Sequence, residues 1–231
     1  MNSKLIYDLP TRLFHAIFAL LFIAAFIIAK AVDDESVRYG FHMIFGMLMV
    51  CAVILRIFWG IVGSEYAKFK HFALNPKELV DYLKAALTAK TKKYIGHNPA
   101  SSYAAIVMML LSILLVATGY QMVMKIDKEV FEEVHEIFAH LFLIVSILHV
   151  VGIALHTIKH KDPIGLAMIH GKKTTNENTE TINQHVLAGI VFVVIMISMG
   201  GYLISNYNLQ NGELKVFGKN LVLIEVENEK D

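Results

Sequence analysis

Five stretches of the chain are almost continuously apolar, at about residues 12–31, 41–62, 101–124, 131–158 and 186–205, and polar segments separate them. Each approaches or exceeds the ~20 residues that a helix needs to cross a bilayer core of ~30 Å. A membrane barrel would alternate polar and apolar residues over ~10-residue segments, and these runs do not alternate. The pattern therefore predicts an all-α, integral-membrane helical bundle. The first run follows Arg12 directly and has no small-residue cleavage site, so it reads as a retained span rather than a secretory signal.

The connections differ in character. In the segment 63–100, Asn75 is placed to cap a helix that begins at Pro76. Leu79, Leu83, Ala86 and Leu87 then share one face, which suits an interfacial helix or a soluble surface helix. Residues 159–185 are polar, and the run Thr174 to Thr181 reads as a flexible linker. In the acidic tail 206–231, Leu214, Val216, Leu221, Leu223 and Val226 bracket Gly218-Lys219-Asn220, a pattern that suits a short hairpin. Residues 1–173 are thus expected to form a four-helix core, and 174–231 a linker, a fifth span and the tail.

Loop charge orients the spans, because Lys and Arg concentrate on the cytoplasmic side. With the N-terminus inside, thirteen Lys and Arg residues fall in cytoplasmic segments and seven on the other side, while acidic residues distribute seven to thirteen. The chain is expected in a bacterial cytoplasmic (inner) membrane, N-terminus cytoplasmic and C-terminus periplasmic. The composition agrees: of 231 residues 56% are hydrophobic and 18% charged, with a mean hydropathy of +0.55, which excludes disorder and an ordinary soluble domain. A formal charge of +1 argues against nucleic-acid binding, and the single cysteine, Cys51, excludes a disulfide scaffold or a cysteine-rich metal site.

Eleven histidines in so apolar a chain carry the chemistry. An ionisable side chain in a bilayer is costly and turns to the bundle interior. His135 and His149 are 14 residues apart on the fourth span, so they lie about 40° from the same azimuth and about 21 Å apart in height. The span orientation sets His42 beside His135 at the outer level and His15 beside His149 at the inner level. Two facing imidazoles at each of two depths suit a pair of six-coordinate haems, since imidazole nitrogen is a recognised axial ligand and bundle cores hold such cofactors. A zinc site would want four converging ligands, or three plus water. Gly46, one turn after His42, either admits a haem plane or allows close helix packing. Arg56 shares the face of His42 at the inner level, where its guanidinium suits a propionate. Arg12, beside His15, either serves the same haem or anchors the inner end of the span.

His156, seven residues beyond His149, is the rival inner ligand, and His140 is turned about 140° from His135. His71, His97, His160, His170 and His185 are expected to be solvated. No nucleophile–base pair, phosphate loop or HExxH helix is present.

These residues also carry a resemblance. Asp8-Leu9-Pro10-Thr11-Arg12-Leu13-Phe14-His15, Phe41-His42 with Gly46, Arg56-Ile57-Phe58-Trp59-Gly60, Gly96-His97-Asn98-Pro99, His135-Glu136 with His149, and Ala167-Met168-Ile169-His170-Gly171-Lys172-Lys173 together resemble the bacterial cytochrome b561 family, which includes the b-type cytochrome subunits of nickel–iron hydrogenases. The resemblance covers Tyr7 to about Lys173, and the fifth span and tail fall outside it. It implies two b haems on His15, His42, His135 and His149, and electron exchange with quinone. The expected protein is a di-haem cytochrome passing electrons between quinone/quinol and an outer-face redox partner, such as a cytochrome c or a hydrogenase-type subunit. The rivals are a stand-alone quinone-linked oxidoreductase acting on a small reductant and a His-lined metal or proton transporter. Asp33, Asp34, Glu35, Glu132 and Glu133 either attract a basic partner at the outer face or are ordinary solvated loop charges.

Overall fold

The computed structural model describes residues 2–88, 94–161, 164–175 and 180–224. Lys90, Lys92, Lys93, Asp162, Glu177, Lys230 and Val226, as well as residues 176–179 of the expected linker, lie outside them. Seven helices dominate the described residues: α1 Leu9–Ala31, α2 Gly40–Val62, α3 Pro76–Leu87, α4 Pro99–Val123, α5 Lys128–His160, α6 Ala167–His170 and α7 Val186–Ser205. Five of them, α1, α2, α4, α5 and α7, are long and apolar enough to cross a membrane. At 1.5 Å per residue the 20 residues of α7 just match the hydrocarbon core, whereas the 33 of α5 overshoot it.

The starts of the helices follow from local chemistry. Asp8 Oδ1 accepts the Thr11 amide at 3.0 Å, Asn75 Oδ1 that of Lys77 at 2.9 Å, and Asn98 Oδ1 that of Ser101 at 2.8 Å. Each of these helices has proline in its first turn, where a missing N–H costs nothing.

The bundle is built on a two-sided α2. At 100° per residue, His42, Gly46, Met49, Val53 and Arg56 fall within about 40° of one azimuth, and Ile44, Leu48 and Ala52 on a second face centred about 120° from it. The first face meets a core of Phe18, Met49, Val53, Met109, Leu111 and Phe142, contributed by α1, α2, α4 and α5. The second packs on Phe192, Met196 and Leu203 of α7. The fifth helix thus lies behind α1 and α2, away from α5. Gly189 lets it close on α1, where an added Cβ would come within 2.8 Å of Leu9.

Two small antiparallel sheets tie down the ends. β1 (Asn2–Leu5) pairs with β2 (Lys172–Thr175), Leu5 opposite Lys172. The expected linker therefore begins as a strand, because the chain entering α1 offers it an edge to pair with. β3 (Glu213–Val216) and β4 (Lys219–Val222) form the tail hairpin, but its turn is Phe217-Gly218, one position ahead of the expected Gly218-Lys219-Asn220. Pairing Leu214 with Leu221 sets that register, and Leu214, Leu223 and Ile224 are buried against α2 and α7. The expected interfacial stripe of α3 is partly covered: Leu79 is half-buried, while Leu83 remains exposed.

Tyr207, at the hairpin root, donates its hydroxyl to the Val37 carbonyl and lies flat against Gly40. A Cβ at Gly40 would fall 2.0 Å from the Tyr207 oxygen. Gly40→Ala should therefore lever the hairpin off the bundle while the helices persist. Limited proteolysis should then cut residues 206–224 several-fold faster than in wild type, and unchanged protection would contradict this packing.

Candidate functional site

At one end of the bundle, α2 and α5 bring His42 and His135 together edge-on, with ring centroids 6.2 Å apart and planes 67° from parallel. Each ring is held from behind. His42 Nδ1 is 2.9 Å from the carbonyl oxygen of Ala25 on α1, and a carbonyl only accepts, so Nδ1 carries the proton. His135 Nδ1 is 2.9 Å from Thr118 Oγ1 on α4. The Thr118 hydroxyl spends its single hydrogen on the carbonyls of Leu114 and Leu115, both at 3.0 Å, and therefore accepts from His135. Both rings are thereby set as Nδ1–H tautomers with Nε2 lone pairs available. Gly119 clears the flank of the His135 ring, the nearest ring atom lying 3.7 Å from where a Cβ would stand. Gly46 faces α4 instead, 3.7 Å from Val116 by the same measure.

The spacing suits one metal ion between two imidazoles. A ring nitrogen binds a metal at about 2.0–2.1 Å and the centroid stands about 1.2 Å behind it, so two rings on opposite sides of one ion have centroids about 6.4 Å apart. Among the described residues no group of three or more His, Cys, Asp or Glu is placed to hold a metal. His42 and His135 would hold such an ion only if it brought further donors of its own, as the iron of a haem would.

At the other end His149 of α5 lies within electrostatic reach of His15 of α1. Between the two levels the bundle is closed by aromatic side chains. Phe142, seven residues from each α5 histidine, is 1% exposed and packs on Phe22 and Phe18 at 4.6 and 6.0 Å.

Arg56 is buried at the His15 end, its guanidinium 4.9 Å from the Phe69 ring centroid, 5.8 Å from Phe72 and 6.0 Å from Phe14. Nη2 donates to the Ala67 carbonyl at 2.9 Å, but Nη1 has no partner. Arg12 Nε is likewise buried and unpaired, with Nη1 of the same side chain pressed against Gly171. Two guanidiniums with orphaned donors, in a region also holding the unpaired hydroxyls of Thr11 and Ser64, make a site for an anionic group.

His97 does not fit its expected solvated setting. Its ring is 4.5 Å from Phe72 and 5.4 Å from Tyr7, and it lies within electrostatic reach of Arg56, Lys173, His149 and His15. Burial foremost, then the charges of Arg56 and Lys173 and the nearby imidazoles, lowers its pKa to about 3, so the ring is neutral at physiological pH. The signal for its position lay in the next two residues: Asn98 caps α4 and Pro99 starts it, which fixes His97 at the mouth of the bundle. His185 is also more enclosed than expected, packing edge-on to Trp59 at 5.2 Å. His71 and His170 are exposed as expected, and His140 lies outside the bundle core, 4.0 Å from Glu136.

Asp8 organises this end. Fully buried, it accepts the Thr11 amide with one oxygen and Trp59 Nε1 with the other, at 2.9 Å, and stands within electrostatic reach of Arg56.

A bundle of membrane-length helices with two closely apposed histidines at one end and a buried arginine at the other has the character of a membrane cytochrome, and comparison with known proteins gives its family. The model of the prokaryotic cytochrome b561 family matches residues 6–171, and the chain belongs to that family. Membership makes it a prokaryotic cytochrome b561 with five helices long and apolar enough to cross a membrane among its described residues, and it implies haem b as the cofactor. The chain is similar to a probable Ni/Fe-hydrogenase B-type cytochrome subunit of Cupriavidus necator, 25% identical over 145 residues covering 53% of this chain and 59% of the relative. The namesake from Rhizobium leguminosarum bv. viciae is 27% identical over 141 residues, 52% and 59% of the two chains. The probable Ni/Fe-hydrogenase 1 B-type cytochrome subunit of Escherichia coli K12 is 24% identical over 143 residues, 51% and 59%. The chain thus spans about three fifths of the length of these relatives. No solved structure matches it.

Asp8→Ala removes both a helix cap and a buried charged acceptor, and should lower stability by about 2–4 kcal/mol in denaturant titration of the detergent-solubilised protein. Asp8→Asn, which keeps an acceptor oxygen for the Thr11 amide, should lose markedly less. Equal losses would show that the carboxylate has no part in the cap.

Proposed function

We propose that this protein binds two b haems at two depths, His42 with His135 on one and His15 with His149 on the other, and passes electrons between quinone/quinol and a redox partner at the outer face. The observation that carries this reading is the His42–His135 pair, 6.2 Å between centroids with both Nδ1 atoms engaged. Support for the second pair comes from the proximity of His15 and His149 and from the unpaired donors of Arg56 and Arg12, which suit haem propionates. Gly46 gives room on the same face of α2.

When bound, haem supplies one-electron chemistry within the bundle. The chain's own contribution is to fix the His42 and His135 imidazoles in one tautomer and to exclude water with the Phe18, Phe22 and Phe142 layer. It also offers positive charge at the His15 end through Arg56, Arg12 and Lys173. The four-helix core is residues 1–173, with the fifth helix and hairpin added behind it. The loop charges favour the bacterial inner membrane, with the N-terminus cytoplasmic and the hairpin periplasmic. The names of the relatives favour a hydrogenase-type subunit as the partner. A cytochrome c drawn to the carboxylates of Asp33, Asp34, Glu35, Glu132 and Glu133 is the other candidate, and a stand-alone quinone-linked oxidoreductase is the alternative to any subunit role.

Haem content and reduced-minus-oxidised spectra of four single variants test the proposal. Wild type should hold two haems per chain; His42→Ala and His135→Ala should lose the same one, and His15→Ala and His149→Ala the other. Colourless folded protein would leave a metal or proton transporter, and loss of the inner haem in His156→Ala but not His149→Ala would reassign that ligand. Purified chain that turns over a small reductant with a quinone analogue would favour the stand-alone enzyme.

A subtler expectation concerns the bond behind His135. Thr118→Val is close to isosteric and removes only the hydroxyl, so it should keep the fold while weakening retention of the outer haem by about 10–100-fold. The measurement is haem loss to an apo-globin acceptor. Retention equal to wild type would mean that the Thr118 contact does not orient the ligand.

A further inference from the structure

The tail hairpin ends in a residue that its turn disfavours. Phe217 occupies the first turn position with φ 46°, the left-handed region that bulky side chains avoid, and Gly218 follows at φ 81°. Asn, Asp or Gly is the usual choice for the first position of such a turn. The Phe217 ring is also 79% exposed, more than any other large hydrophobic side chain among the described residues. The fold of this chain buries little of the strained aromatic, and such an outlier points to a role outside it.

The place of the ring says what that role is. Phe217 stacks on Tyr202, centroids 5.7 Å apart and planes 30° from parallel, and its amide donates to the Tyr202 hydroxyl at 2.9 Å. Tyr202 stands one turn before the end of α7, a helix long and apolar enough to span a bilayer. The hairpin therefore folds back so that its tip lies on the flank of a span, at the level where a helix leaves the hydrocarbon. Aromatic rings favour that level. Flanking the tip, Lys215 and Lys219 are exposed, in a tail whose other charges within 206–231 are all acidic except Lys230. Long cationic side chains on either side of an aromatic suit lipid phosphates above an apolar layer.

We propose that the β3–β4 hairpin is a membrane foot: Phe217 reaches past the headgroups to the top of the acyl chains beside Tyr202, and Lys215 and Lys219 meet anionic lipid phosphates. The foot joins the tail to the bilayer at the end of the bundle that holds His42 and His135, and fixes how the hairpin lies over α2 and α7.

Site-directed spin labelling of the full chain tests this. A nitroxide is attached at Phe217→Cys in a Cys51→Ala background, in vesicles of phosphatidylethanolamine and phosphatidylglycerol at three to one. Asn220→Cys, on the exposed side of β4, is the reference. The expected result is a label at 217 relaxed several-fold more by oxygen than by a water-soluble nickel chelate, with the opposite ratio at 220. A label at 217 relaxed mainly by the chelate would place the tip in water and overturn the proposal. A label reached by neither agent would place it against protein, a partner or a second copy, and would overturn it equally. Because a spin label lacks the shape of the native ring, Phe217→Trp provides a second reading. Its added emission, after subtraction of the Trp59 signal in wild type, should be quenched by lipids brominated near the headgroup, and unquenched emission would again reject the foot.

Discussion

An imidazole inside an apolar bundle has two nitrogens to satisfy, and the way the rear one is bonded decides what the front one can do. In His42 the rear nitrogen gives its proton to a main-chain carbonyl of α1, and in His135 to a threonine of α4 whose own hydrogen is already committed. The first is possible only while α1 and α2 hold one relative position, and the second only while α4 and α5 do. The bond from α2 to α1 and the bond from α5 to α4 are therefore also constraints on packing. Each ties a candidate ligand helix to the neighbour that its apolar side chains already contact.

The same economy governs the opposite end. Arg56 would be costly in a dry bundle, yet it lies among the rings of Phe14, Phe69 and Phe72 and spends one donor on the Ala67 carbonyl. Asp8 holds the start of α1 and reaches Trp59, three residues past Arg56 on α2. Charge is balanced here only in part, since Arg12 and Arg56 retain donors without acceptors. An end of a bundle that is over-supplied with cationic donors is stable when an anion completes it.

The helices were legible because the properties that make them are local: long apolar runs, Asn and Pro at the starts, and the 100° rotation that aligns His135 with His149. All five spans fall within three residues of their expected limits, with α2 beginning at Gly40 and α7 at Val186. What was not legible depends on partners far along the chain. Thr118 is one hydroxyl among several on apolar helices, and only the fold brings it to His135, 17 residues away. The strand at Lys172–Thr175 reads as linker because its mate is the N-terminus. His97 reads as a loop histidine because nothing in its own segment reveals that Phe72, Tyr7 and Arg56 converge on it. The hairpin turn was misplaced by one residue because Gly-Lys-Asn has better turn chemistry than Phe-Gly, and tertiary packing of Leu214 against Leu221 decided otherwise.

The addition of a fifth helix follows from the two faces of α2. A helix whose one side carries His42, Gly46, Met49, Val53 and Arg56 has little freedom there, since each of these meets α1, α4, α5 or the turn after α2. Its other side, Ile44, Leu48 and Ala52, is apolar and would otherwise face lipid. Covering that side with α7 buries Phe192, Met196 and Leu203 without touching a histidine. Because α7 also contacts α1 from behind, it braces the pair of helices whose spacing the His42–Ala25 bond requires. The matched family region ends at Gly171, so the brace and its hairpin lie beyond it in sequence while bearing in space on the helices that form the site. The fifth helix thus packs on both of the helices that the bond from His42 to the Ala25 carbonyl joins.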